Sequence, residues 1–142
     1  MKLASAPQHR AAGRVLAIAS GKGGVGKTTL AVGMARALSL MDERVLLMDG
    51  DLGMANIDVQ LGLQPRADIV NVLNGKTSLE DAVCPAIGGA AERGGFDVIS
   101  GRSGSGALAN LSGPGLTKLA TGVAALALSY DRAILDLAAG AD

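Results

Sequence analysis

Gly21-Lys22-Gly23-Gly24-Val25-Gly26-Lys27-Thr28-Thr29 is the stretch that decides the fold. It satisfies G-x-x-x-x-G-K-[ST], the pattern of a loop that cradles the phosphates of a nucleoside triphosphate. The flanks agree with it. Val15 to Ala19 is an apolar run that reads as a buried strand. Thr28 to Met41 places Leu30, Gly33, Met34, Ala37, Leu38 and Met41 at helical spacing, which predicts a helix burying that face. Strand, glycine-rich loop and helix together make a site out of a string match.

Each residue type in the loop has a physical reason. Gly21, Gly23, Gly24 and Gly26 allow backbone conformations that turn amide N–H groups, Val25 among them, toward phosphate oxygens. The helix starting near Lys27 points its positive end at the same oxygens. Lys27 is expected on the β- and γ-phosphates, the Thr28 hydroxyl on Mg²⁺, and Thr29 near the α-phosphate. Lys22 is a second lysine where an ordinary phosphate loop needs one, and it implies a second electrostatic task.

Three aspartates lie at or just past the ends of apolar runs. Asp49 follows the run Arg44 to Met48, Asp51 lies two residues on, and Asp136 follows Arg132 to Leu135. In parallel α/β sheets the carboxyl ends of the strands line the ligand crevice. Asp136 is expected to hold Mg²⁺ through a water, and Asp49 to contribute to the metal shell. Asp51 is expected to orient the attacking water. The competing reading of Asp49 is a strand-end turn residue.

The rest of the chain supports an alternating order. Gly50 to Leu63 reads as a loop-rich stretch, and Ala67 to Leu73 as a short helix stopped at Asn74-Gly75. Thr77 reads as the N-cap of another helix, with Glu80 completing a capping box. Ile87 to Gly95 reads as a loop, Phe96 to Ser100 as a strand, and Gly101 to Gly106 as a flexible loop. Gly115 to Ser129 reads as a helix, with Leu116, Leu119, Val123, Leu126 and Ala127 on one face. These elements predict an α/β P-loop NTPase, a three-layer sandwich around a mostly parallel sheet. Residues 1–13 are expected to be a flexible leader. Residues 14–142 are expected to be the N-terminal part of a longer domain, with C-terminal strands missing.

Composition bounds the function. The 142 residues carry 13 Lys and Arg against 13 Asp and Glu, so no global basic field draws the chain to nucleic acid. Phe96 and Tyr130 are its aromatic residues, which argues against base stacking. A lone cysteine, Cys84, excludes an internal disulfide framework and makes an iron–sulfur role a poor reading. Met1 to Gly13 lacks the apolar segment of a secretory signal, and a cytoplasmic protein is expected.

Lys22 to Thr29, KGGVGKTT, resembles the deviant Walker A loop of the MinD/ParA ATPases. Met48 to Leu63, Ser100 to Leu111 and Ala133 to Asp142 are similar to segments of the flagellar-number regulators FlhG/FleN within that family. The resemblance implies ATP and Mg²⁺ as ligands and an ATP-dependent homodimer in which Lys22 reaches the partner's phosphates. It implies control of flagellar number or placement, or of the division site. It also implies a flagellar GTPase or regulator as a possible partner. Membrane contact at the inner face of the cell membrane would come through a C-terminal helix that is not in this sequence. In the switch segment Ala138 replaces the family's first glycine and Gly140 keeps the second; Gln8 to Gly13 only faintly echoes the family's partner motif. The alternatives are a DNA-partition ATPase of the ParA type and a truncated nucleotide binder without turnover.

Overall fold

The computed structural model describes residues 14–19, 26–50, 57–101 and 113–137. Its strands are β1 (Arg14–Ile18), β2 (Val45–Gly50), β3 (Val83–Ala86), β4 (Phe96–Ile99) and β5 (Arg132–Leu137). They form one sheet in the order β1-β5-β2-β4-β3. The pairs β1–β5, β5–β2 and β2–β4 are parallel, and β3 runs antiparallel to β4. The apolar runs predicted as strands thus form the parallel part. Val45, Leu46, Leu47, Met48 and Asp49 of β2 are all buried, as a parallel strand covered on both faces requires.

The helices are α1 (Lys27–Leu40), α2 (Ile57–Leu61), α3 (Ile69–Leu73), α4 (Leu79–Ala82) and α5 (Gly113–Ala127). Alternation along the strands divides the core in two. On one face Val45, Leu47, Val98, Phe96 and Ile134 pack with Ala31 and Ala35 of α1. On the other, Leu46, Met48, Ile99 and Ala133 pack with Ile69 and Val70 of α3, Leu79 of α4, and Val123 and Leu126 of α5. Helices therefore cover both faces of a mostly parallel sheet, which is the predicted three-layer sandwich.

Several local expectations change. The fully buried residues of α1 are Ala31, Ala35 and Ser39; Met34 and Leu38 pack partly against the core as predicted, while Leu30 and Met41 are 55% and 71% exposed. Small residues let the helix lie close to the sheet, and the Ser39 hydroxyl satisfies itself on the Gly95 carbonyl. The stretch read as loop contains α2. Ser78 rather than Thr77 caps α4, its hydroxyl accepting from the Asp81 amide at 3.1 Å. At α3 the capping box is Asp68 with Asn71, each side chain accepting from the other's amide at 3.0 Å. Strand β3 (Val83–Ala86) is an element the sequence reading does not include. Proline is tolerated there because β3 is an outer strand of the sheet among the described residues. The leader and the greater part of the glycine/serine loop lie outside the described residues.

Candidate phosphate and metal site

The site forms where α1 starts over the carboxyl ends of β2 and β5. Gly26 precedes the helix with φ +80°, a conformation that favours glycine, and its carbonyl accepts the first helical bond from the Leu30 amide at 2.9 Å. Among the described residues no side chain caps this end. The first amides of α1 are thereby presented to whatever lies beyond the helix, the arrangement that suits an anion.

Two side chains of the first turn reach the same carboxylate. The Lys27 ammonium pairs with Asp136 Oδ1, and the Thr28 hydroxyl donates to Asp136 Oδ2 at 2.8 Å. The Lys27 side chain is 8% exposed and that of Asp136 1%. A carboxylate this deep needs such partners, because an uncompensated buried charge is costly. Asp136 is the penultimate residue of β5, and Asp49 is the penultimate residue of β2. The two are register partners on adjacent strands. Their side chains share the face that carries α1, each two residues beyond Leu47 or Ile134 on that same face. Asp49 is also 1% exposed, and its Oδ2 accepts from the Ile57 amide at the start of α2 at 3.2 Å.

This donor set suits a small hard cation. Two carboxylates and a hydroxyl are oxygen ligands, and Mg²⁺ takes one or two carboxylates and completes its shell with phosphates and waters. Among the described residues no group of three or more His, Cys, Asp or Glu side chains comes together, so an all-protein metal cage is not built there. The residues fit a cation shared with a phosphorylated ligand.

Of the candidate residues, the structure brings Lys27 and Thr28 onto Asp136, places Asp49 beside Asp136 on the next strand, and sets Gly26 at the start of α1. Thr29 is exposed on the first turn of α1. Gly21, Lys22, Gly23, Gly24, Val25, Asp51 and Gly140 lie outside the described residues. The structure adds Ser100 to the same edge. It follows β4, is 1% exposed, and is marked in the sequence only as a strand terminus. The clue was available: a polar residue ends this apolar run just as Asp49 and Asp136 end theirs.

Residues 16–139 match the CobQ/CobB/MinD/ParA nucleotide binding domain. The chain belongs to this family. The antiactivator FleN of Pseudomonas aeruginosa is 35% identical over 127 residues, covering 89% of this chain and 43% of FleN. The septum site-determining protein MinD of Thermotoga maritima is 44% identical over 73 residues, covering 50% of this chain and 27% of MinD. The fold is similar to that of MinD from Pyrococcus horikoshii complexed with Mg-ADP, with a TM-score of 0.74 and 32% identity over 91% of this chain and 50% of that one. The chain therefore spans less than half the length of these two curated relatives. The family match includes every described member of the site, from Gly26 to Asp136. No helix among the described residues is long and apolar enough to cross a membrane.

Proposed function

We propose that this chain is the nucleotide-binding part of an ATP-hydrolysing switch of the MinD/ParA type. The observation that carries the reading is the convergence of Lys27 and Thr28, at the start of α1, on the buried carboxylate of Asp136. ATP phosphates would lie against the amides that open α1. Lys27 would exchange its carboxylate partner for the β- and γ-phosphates. Thr28, Asp136 and Asp49 would hold Mg²⁺, which when bound offsets phosphate charge. Asp51 would orient the attacking water.

Lys22 would reach the phosphates of a second copy, so that ATP favours the dimer by differential affinity for the two states. The biological role we infer is control of flagellar number or placement. The alignment with FleN runs through 127 residues, whereas that with Thermotoga maritima MinD stops at 73. The division-site role of MinD is the second reading, favoured by the higher identity within that shorter stretch. A cytoplasmic location with peripheral membrane contact goes with either role, as does a flagellar GTPase or regulator as partner with the first.

Sedimentation of the chain and of Lys22→Ala in ATP with Mg²⁺, and again in ADP, tests the switch. The parent should dimerise in ATP alone, and Lys22→Ala should stay monomeric while retaining ATP binding. Dimerisation of the variant equal to the parent's would contradict the role of Lys22. Retention on nonspecific DNA at low salt, lost as salt rises, would instead favour a partition ATPase.

A further inference from the structure

Ser100 carries an oddity that the site as described does not use. Its hydroxyl oxygen is buried and has no hydrogen-bond partner among the described residues. Nearly all buried polar side-chain atoms are paired, so an orphan hydroxyl calls for an explanation. Its place supplies one. Met48 and Ile99 are register partners, so Ser100 stands one step further on, beside Asp49. Val98 packs on the α1 side of the sheet and Ile99 on the other. Alternation returns Ser100 to the α1 side, the side of Asp49 and Asp136. The backbone there is pinned, because the Ser100 carbonyl accepts from the Ile69 amide at 2.8 Å. Asp136, Asp49 and Ser100 thus form a polar row across three adjacent strands, β5, β2 and β4, above the apolar rows of Ile134, Leu47 and Val98.

We propose that Ser100 is a positioning residue of the phosphate and metal site. Its hydroxyl holds a water against Asp49 once nucleotide and a divalent cation occupy the space between Thr28, Asp49 and Asp136. A hydroxyl both donates and accepts, so it can fix a water that faces a carboxylate on one side and the cation's hydration shell on the other. Residues that orient a cation's ligands from behind affect metal affinity without touching the metal. The proposal rests on the nucleotide-site reading above.

The test compares the parent with Ser100→Ala and the near-isosteric Ser100→Cys. ATP affinity is measured in EDTA and with saturating Mg²⁺, and thermal unfolding is followed without nucleotide. In the parent, Mg²⁺ should tighten ATP binding. Ser100→Ala should reduce that Mg²⁺-dependent gain by roughly tenfold. Its affinity in EDTA should match the parent's, and its melting temperature without nucleotide should be unchanged or raised, since the orphan hydroxyl is gone. Ser100→Cys, with a weaker donor, should fall between. A full Mg²⁺ gain in Ser100→Ala overturns the proposal and leaves the nucleotide site standing. Equal losses in EDTA and in Mg²⁺, with a lowered melting temperature, also overturn it by showing a packing role. A parent that gains nothing from Mg²⁺ overturns the site reading and this proposal with it.

Discussion

Lys27 and Asp136 are 109 positions apart in the chain, yet they form a buried ion pair. Their separate roles were legible in the sequence: a lysine in a phosphate loop and an aspartate ending an apolar run. Their direct contact was not, because it depends on β5 being inserted between β1 and β2. The same limit hid the surroundings of Tyr130, read only as a rare aromatic. Its hydroxyl donates to Asp97 Oδ2 at 2.7 Å, while Asp97 Oδ1 accepts from the Ala90 amide at 3.0 Å and the Arg44 guanidinium lies over the ring. Burial, and then the Asp97 carboxylate, push the Tyr130 pKa well above its ordinary value of 10.0. The folded state therefore holds this proton longer than the unfolded chain does. Tyr130 contributes stability that is fully present below about pH 10 and is lost as the unfolded phenol ionises above it. Tyr130→Phe should cost about 1.5–3 kcal/mol at pH 7, from one hydrogen bond to a charged acceptor. Denaturant unfolding from pH 8 to 11 should show the difference between parent and variant shrinking above pH 10.

Elements were read from the sequence as well as their patterns were unambiguous. Four apolar runs became the four mutually parallel strands, and Asn74-Gly75 did stop α3, with Gly75 at φ +71°. The predicted face of α1 holds in part: Met34 and Leu38 pack against the core, but Ala31, Ala35 and Ser39 make the fully buried line of close approach and Leu30 is exposed. β2 and β5 also meet closely at the site. A Cβ on Gly50 would lie 3.1 Å from the Asp136 carbonyl oxygen and 3.2 Å from Leu137 Cδ2. Backbone cannot yield as a side chain can, so Gly50→Ala should push β5 and shift the Asp136 carboxylate. The expected cost is about 1–3 kcal/mol. Chemical denaturation would measure it, and a loss of Mg²⁺-dependent ATP binding larger than the stability loss explains would report the displaced carboxylate.

At the scale of the whole sheet, as far as the described residues show it, the centre and strand β1 differ sharply. Phe96 is fully buried at the start of β4, packed with Val45, Leu47 and Ile134. Val15 on β1 is 45% exposed, and Leu30 of α1 and Met41 just past its end face outward. Phe96→Ala should cost about 3–5 kcal/mol, because it opens a cavity in the core. Val15→Lys should stay within about 0.5 kcal/mol of the parent, because a half-exposed side chain has room for the longer one. Unfolding midpoints of the two variants measured side by side would check the contrast. The sheet's outer strands illustrate what the sequence shows and what it withholds. The apolar pattern marks β1 as a strand, but which strands flank it is a matter of long-range pairing.

The central claim is that Asp136, with Lys27 and Thr28, forms a site for nucleotide and Mg²⁺. Calorimetric titration of ATP into the chain and into Asp136→Asn, each with and without Mg²⁺, tests it most directly. The parent should bind ATP more tightly with Mg²⁺, and Asp136→Asn should reduce this gain by about tenfold to a hundredfold. In EDTA the variant should bind at least as well as the parent, since Lys27 then has no buried carboxylate to leave. A parent with no affinity for ATP, or an Asp136→Asn variant with the parent's full response to Mg²⁺, would contradict it.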